Sequence, residues 1–176
     1  MTTYVIAGGC FWCLDAVYRR LKGVGSVTSG YSGGVVINPS YAEIETGTTG
    51  HAQVVKILFN EHIIPKKTIL DLFFLIHDPT TLNRQGNDIG PQYRSAMYYK
   101  DMVQKTEFEH AKKRAQAHWD SPIVTEVEKL GTFYDAEDYH QDYFNNNPGN
   151  GYCSIVIAPK IVKARAAYTK WFEENT

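Results

Sequence analysis

The chain changes periodicity at one point, and that point limits the folds open to it. Tyr4-Val5-Ile6 is a short β-favouring run, while from Phe11 onward Phe11, Leu14, Val17, Tyr18 and Leu21 recur at helical spacing. Between the two patterns stand Gly8, Gly9 and Cys10. A strand passing this abruptly into a helix puts Cys10 at the helix start. Unpaired N–H groups and the positive end of the helix dipole stabilise an anion there. The position predicts a Cys10 thiol of lowered pKa, and hence a nucleophile.

The patterns downstream complete an α/β alternation. Ser26 to Tyr31 has strand character, Asn38 to His51 is polar and turn-rich, and Gln53 to Phe59 reads as a buried strand. Pro65 opens a helix with Ile69, Leu70, Phe73 and Ile76 on one face, halted at Asp78-Pro79. Asp78 to Gln92 is a long polar loop, of the kind that in compact proteins carries function. Arg94 to Tyr99 reads as a strand, Met102 to His118 as a charged helix and Ile123 to Val127 as another strand. A short helix over Ala136 to Phe144, a turn cluster over Asn145 to Gly151, a last strand over Cys153 to Ile157 and a helix ending near Phe172 follow. The opening order of strand, helix, strand, strand, helix, strand fits a ferredoxin-like split βαβ core, a two-layer α/β sandwich with mixed sheet and long polar loops. The rest forms a C-terminal extension. No linker or repeat divides residues 1–176, so one domain is expected.

Composition removes several classes of function. A net charge of -1 gives no basis for binding nucleic acid or an acidic membrane. Three cysteines are too few for a secreted disulfide framework. No apolar run approaches membrane-spanning length, and the N-terminus lacks signal-peptide features. The expectation is a soluble cytoplasmic protein with reduced thiols.

Cys10 and Cys13 lie one helical turn apart, so they can form a disulfide or share a metal. Zinc would need two further ligands at recognisable spacing, and Cys153 is remote; His51, His77 and His140 form no second ligand pair. We therefore expect no metal and no organic cofactor. A C-x-x-C after a strand also fits a thioredoxin-type redox site. Against that, Phe11-Trp12 between the thiols suits the wall of a pocket for a small apolar group, with Phe11 on the core-facing stripe and Trp12 off it. Gly8-Gly9 at a helix start fits a phosphate cradle poorly, because no P-loop lysine follows.

GCFWC at Gly9 to Cys13 resembles the active-site signature of the peptide methionine sulfoxide reductases of the A type. The resemblance continues in order through GYSGG (Gly30 to Gly34), NPSY (Asn38 to Tyr41), TGH (Thr49 to His51), HDP (His77 to Pro79), RQGND (Arg84 to Asp88) and QYRSA (Gln92 to Ala96). VTEV (Val124 to Val127), EDYHQDY (Glu137 to Tyr143) and GYC (Gly151 to Cys153) extend it over nearly the whole chain.

The resemblance implies reduction of the S-epimer of methionine sulfoxide, free or in proteins. Cys10 would be the nucleophile and would become a sulfenic acid. Phe11 and Trp12 would hold the substrate methyl group, while Tyr41, Asp88 and Tyr93 would surround its oxygen. Thioredoxin would be the reductant, after a second thiol has formed a disulfide with Cys10. Cys13 is favoured as that thiol by proximity, and Cys153 is the other candidate. One position departs from the family pattern: Gln53 stands where the family has the glutamate regarded as its proton donor. An amide donates a hydrogen bond but transfers no proton at neutral pH. A thiol–disulfide oxidoreductase and a weakened, sulfoxide-binding variant are the alternatives.

Overall fold

The computed structural model describes residues 1–174, so the last two residues of the expected 1–176 domain lie outside it. β1 (Thr2–Gly8) runs into α1 (Phe11–Tyr18), β2 (Val24–Ser32) follows, and a short α2 (Tyr41–Glu45) precedes β3 (Ala52–Phe59). α3 (Lys66–Ile76) leads to a two-stranded hairpin of β4 (Arg84–Gln85) and β5 (Asp88–Ile89), then to β6 (Ser95–Tyr99), α4 (Met102–Gln116) and β7 (Glu126–Lys129). β8 (Tyr134–Asp135), α5 (Tyr143–Asn146) and α6 (Ala158–Ala167) form the C-terminal part.

The main sheet has the order β7-β6-β1-β3-β2-β8. Its centre, β6-β1-β3-β2, is antiparallel, and only β6-β7 is parallel. This is the expected ferredoxin-like core with a mixed sheet. Side chains alternate across the sheet. Tyr4, Ile6, Val55, Ile57 and Phe59 pack against the helices, and Val5, Ala7, Ala52 and Val54 form a second cluster on the other face. Gln53 shares the parity of Val55 and so belongs to the helix-facing side.

Several segments differ from the sequence-based expectation: the Asp78–Gln92 loop holds the β4–β5 hairpin and runs into a 3-10 turn at Pro91–Tyr93, and β8 was not expected. Within Asn38–His51 lies α2, capped reciprocally by Ser40 and Glu43. β7 begins three residues later than the strand expected at Ile123. In place of one helix over Ala136–Phe144 there is a 3-10 turn at Asp138–His140, then Asp142 with φ 51°, then α5. Cys153–Ile157 is not a strand but a π-helical turn that runs into α6. Cys153, Ile157, Ile161 and Ala164 are buried while Ser154 and Ile155 are exposed, which is the burial of a helix face rather than of a sheet.

The extension docks on the front of the core through the 137–143 stretch. The Glu137 carboxylate accepts from Tyr31 Oη and from the Tyr41 backbone N–H, both at 2.9 Å. Gln141 pairs with both backbone groups of Ser29, at 2.8 and 3.0 Å. Asp15 of α1 accepts from the Asp142 N–H at 2.8 Å. These bonds bring His140 and Tyr143 over the start of α1.

His77 fixes the chain just ahead of Cys10. Its Nδ1–H donates to the Phe73 carbonyl at 2.5 Å, and Nε2 then accepts from Ser95 Oγ at 2.7 Å. A Cβ at Gly8 would come within 3.0 Å of the His77 ring. Burial holds the imidazole down at about 4, from an ordinary 6.5. A folded-state pKa below the unfolded one contributes stability that is complete above pH 6.5 and is lost as pH falls toward 4. The urea midpoint should therefore drop through that window by the equivalent of up to about 3 kcal/mol, and drop less in His77→Gln. Equal slopes in the two proteins would show that His77 does not carry this dependence.

Candidate active site

The site is assembled around the turn from β1 into α1. Gly9 has φ 93°, a conformation that L side chains rarely adopt, and a Cβ there would lie 2.6 Å from Gln85 Cγ. That double requirement explains the glycine ahead of Cys10. Cys10 is the extended residue capping α1, nearly buried at 8 % exposure, and Cys13 is buried one turn further on. The Phe11 N–H, one of the helix's unpaired donors, donates to Gln53 Oε1 at 3.2 Å.

The two thiols lie one helical turn apart and each acts on the other's protonation. Burial raises Cys10 well above the usual thiol range, reinforced by the hydrogen bond and charge of Cys13, and the Trp12 N–H opposes this only in part. The hydrogen bond from Cys10 brings Cys13 down to about 7 against its own burial, helped by Lys160 and by Tyr152. The lowered thiol expected at Cys10 is therefore found at its partner: burial outweighs the helix start. Cys153, buried in the π-helical turn against α1, is raised by burial and by the charge of Cys13. Cys13 thus interacts with both other cysteines.

Phe11 is wholly buried, packed against Tyr31 and His140 with ring centroids 5.7 and 5.1 Å away. Trp12 is half-buried and stacks on Tyr143 at 3.7 Å with the rings nearly parallel. Its indole N–H donates to His140 Nδ1 at 3.0 Å. The His140 proton then sits on Nε2, which is buried and has no partner among the described residues. A cavity of about 490 Å³ opens over Trp12, lined also by Tyr41, Tyr139, His140 and Tyr143. A larger one, about 590 Å³, lies between α3, α4 and α6 away from the cysteines. Two of its cations, Lys67 and Arg114, are paired with Asp71, and no cysteine lines it.

The remaining expected residues are tied to one another and to the thiols by hydrogen bonds and charge. Tyr41 and Tyr93 are both raised by burial, then by the Glu45 charge; Asp88 adds to both, and Cys10 to Tyr41. Asp88 accepts from Tyr152 Oη at 2.8 Å, and that oxygen lies 3.9 Å from Cys13 Sγ. Gln53 Nε2 donates to Glu45 Oε1 at 3.3 Å, and Tyr93 Oη donates to the Glu45 carboxylate at 3.1 and 3.2 Å. The sequence reading placed none of Glu45, His140 and Tyr152 in the site. For Glu45 a signal existed: the Ser40/Glu43 capping box marks a helix on which Tyr41 and Glu45, four apart, share a face.

A coupled dithiol at a helix start, under an aromatic wall and beside a ring of hydroxyls, defines a thiol-dependent oxidoreductase. The family model for peptide methionine sulfoxide reductase matches residues 2–172, and the chain belongs to that family. It is 56% identical over 171 residues to peptide methionine sulfoxide reductase MsrA of Paenarthrobacter aurescens, covering 97% of this chain and 98% of that one. The reduced form of Mxr1 from Saccharomyces cerevisiae superposes with a TM-score of 0.82 at 34% identity, over 86% of this chain and 88% of that one. Mxr1 in complex with Trx2 superposes with a TM-score of 0.58 at 27% identity, over 81% and 84%. Among the described residues no helix is long and apolar enough to cross a membrane.

Proposed function

We propose that the chain is a peptide-methionine (S)-S-oxide reductase in which Cys10 attacks and Cys13 resolves. The observation that carries this reading is the pair of buried thiols one helical turn apart at the start of α1, beside a cavity lined by Trp12, Tyr41 and His140. With Cys13 at about 7, about half of the pairs carry a negative charge at neutral pH. Moving the shared proton from Cys10 to Cys13 makes Cys10 the thiolate. Its sulfur takes the sulfoxide oxygen, the substrate sulfur is reduced to the thioether, and one proton ends on that oxygen as Cys10–SOH. Phe11 shapes the wall and Trp12 takes the methyl group, while Tyr41 and Tyr93 donate toward the oxygen. The buried His140 N–H is a further donor within reach of the bound residue.

The Cys13 thiol, which holds the shared proton, then attacks the Cys10 sulfenic acid; that proton leaves with the hydroxyl as water, and a Cys10–Cys13 disulfide forms. Cys153 follows as a second acceptor of the bond, because its turn packs against α1 and it feels the charge of Cys13. Thioredoxin restores the thiols, a role supported by the existence of an Mxr1–Trx2 complex. We assign the whole of residues 1–176 to one such domain working in the reducing cytoplasm, without a metal.

The test is a peptide carrying each epimer of methionine sulfoxide, with dithiothreitol as reductant. The S-epimer should be reduced and the R-epimer left untouched. Reduction of both would overturn the chiral pocket. Disulfide exchange without methionine formation would instead favour a thiol–disulfide oxidoreductase.

A further inference from the structure

Sulfoxide reduction by a thiolate requires one proton at the departing oxygen, and the amide of Gln53 cannot transfer it. The structure places a carboxylate one hydrogen bond away. Glu45 ends α2 on the same face as Tyr41, accepts from Gln53 Nε2 at 3.3 Å, and receives the Tyr93 hydroxyl on both oxygens at 3.1 and 3.2 Å. Gln53 in turn reaches the Phe11 N–H beside Cys10, so Glu45 is connected to the reacting thiol as well as to Tyr93.

The charged and titratable groups facing Glu45 come from several elements. They are Tyr41 on its own helix and Tyr93 on the turn before β6, with Asp88 of β5 acting on both tyrosines and Cys10, at the start of α1, and Tyr139 acting on Tyr41. Asp88 is engaged by Tyr152 on the thiol side. Glu45 forms no ion pair among the described residues and is exposed, open to exchange protons with water.

We propose that Glu45 is the proton source for sulfoxide reduction in this protein, acting through Tyr93. The inference rests on the reading given under Proposed function. In the resting state the Tyr93 proton points at Glu45. When Glu45 is protonated the bond reverses: Glu45 donates to Tyr93, and Tyr93 donates to the sulfoxide oxygen. As the substrate S–O bond breaks and the Cys10 S–O bond forms, the Tyr93 proton passes to the oxygen and the Glu45 proton to Tyr93. Water then reprotonates Glu45. One proton is consumed, the substrate sulfur gains two electrons and Cys10 loses two. Glu45 is a relay and positioning residue; Tyr93 is the group that touches substrate.

The experiment is rapid-quench formation of methionine in a single turnover, across a pH series, for the unaltered protein, Glu45→Gln, Glu45→Asp and the double variant Glu45→Gln/Gln53→Glu. Glutamine at 45 keeps an oxygen to accept from Gln53 and Tyr93, so a purely structural role survives that change. Glu45→Gln should be slower by about 10²-fold, with substrate affinity unchanged and the rise in rate toward low pH flattened. Glu45→Asp should keep the pH profile. The double variant, which returns a carboxyl to the neighbouring position, should recover most of the rate. A Glu45→Gln protein with the original rate and pH profile would overturn the proposal, and so would a slowed one that keeps the profile and is not rescued. Should the unaltered protein form no methionine from the S-epimer, the reading under Proposed function falls, and this inference with it.

Discussion

Cys10→Ser will form no methionine above background from either epimer, while unfolding at nearly the same denaturant concentration as the unaltered protein. The substitution changes one atom at a position only 8 % exposed. Serine is nearly isosteric with cysteine, so the packing of α1 is preserved. What is lost is chemistry. An alcohol is far harder to ionise than a thiol, and an alcohol oxygen cannot take up the sulfoxide oxygen as sulfur does. The loss should be complete in single-turnover as well as steady-state assays, with either reductant. Measuring methionine release beside a urea titration separates a chemical defect from a folding one. A folded Cys10→Ser protein retaining more than trace turnover would remove Cys10 from the nucleophile's role.

Cys13→Ser will release about one methionine per enzyme and then stop when thioredoxin is the reductant, whereas Cys153→Ser will continue to cycle. Cys13 is one helical turn from Cys10 and its pKa is lowered to about 7, so the sulfenic acid forms beside a ready nucleophile. Cys153 is raised by burial and by the Cys13 charge, which leaves less of it as thiolate. Replacing Cys13 also removes two of the influences that push Cys10 up, so the first turnover should survive. Dithiothreitol, small enough to attack the sulfenic acid directly, should restore cycling to Cys13→Ser. Peptide mapping of the oxidised protein should find Cys10 joined to Cys13 first. A Cys10–Cys153 bond as the first and sole disulfide would reverse the order of the two resolving thiols.

Much of the front of the site was legible in the sequence. The change from strand to helix around Gly8-Gly9 located Cys10, whereas Tyr41, Asp88 and Tyr93 were singled out only by the family resemblance; the structure puts them in α2, β5 and a 3-10 turn. Phe11 and Trp12 were separated by the helical stripe, and the structure keeps that distinction: Phe11 wholly buried, Trp12 facing the cavity. Cys153–Ile157 was misread because a short apolar run has the same composition in a buried strand and in a helix facing a core. α2 was missed although its capping box stood in the sequence, since a five-residue helix is too short to show a period.

What the sequence determined by itself is therefore whatever depends on neighbours along the chain: the periods of β1 and α1, the glycine required at φ 93°, the i,i+3 spacing of the two thiols, and the presence of an amide at position 53. The tertiary structure decided how those groups are charged and connected. Gln53 meets the Phe11 N–H across 42 positions, His140 meets the Trp12 indole across 128, and Tyr152 meets Asp88 across 64. Such pairings are set by how β3 and the C-terminal extension pack against α1, and no local pattern encodes them. The direction of the Cys10 shift is a property of the same kind. The helix start lowers a thiol's pKa locally, but burial by distant segments raises it by more, and burial exists only once the chain has folded.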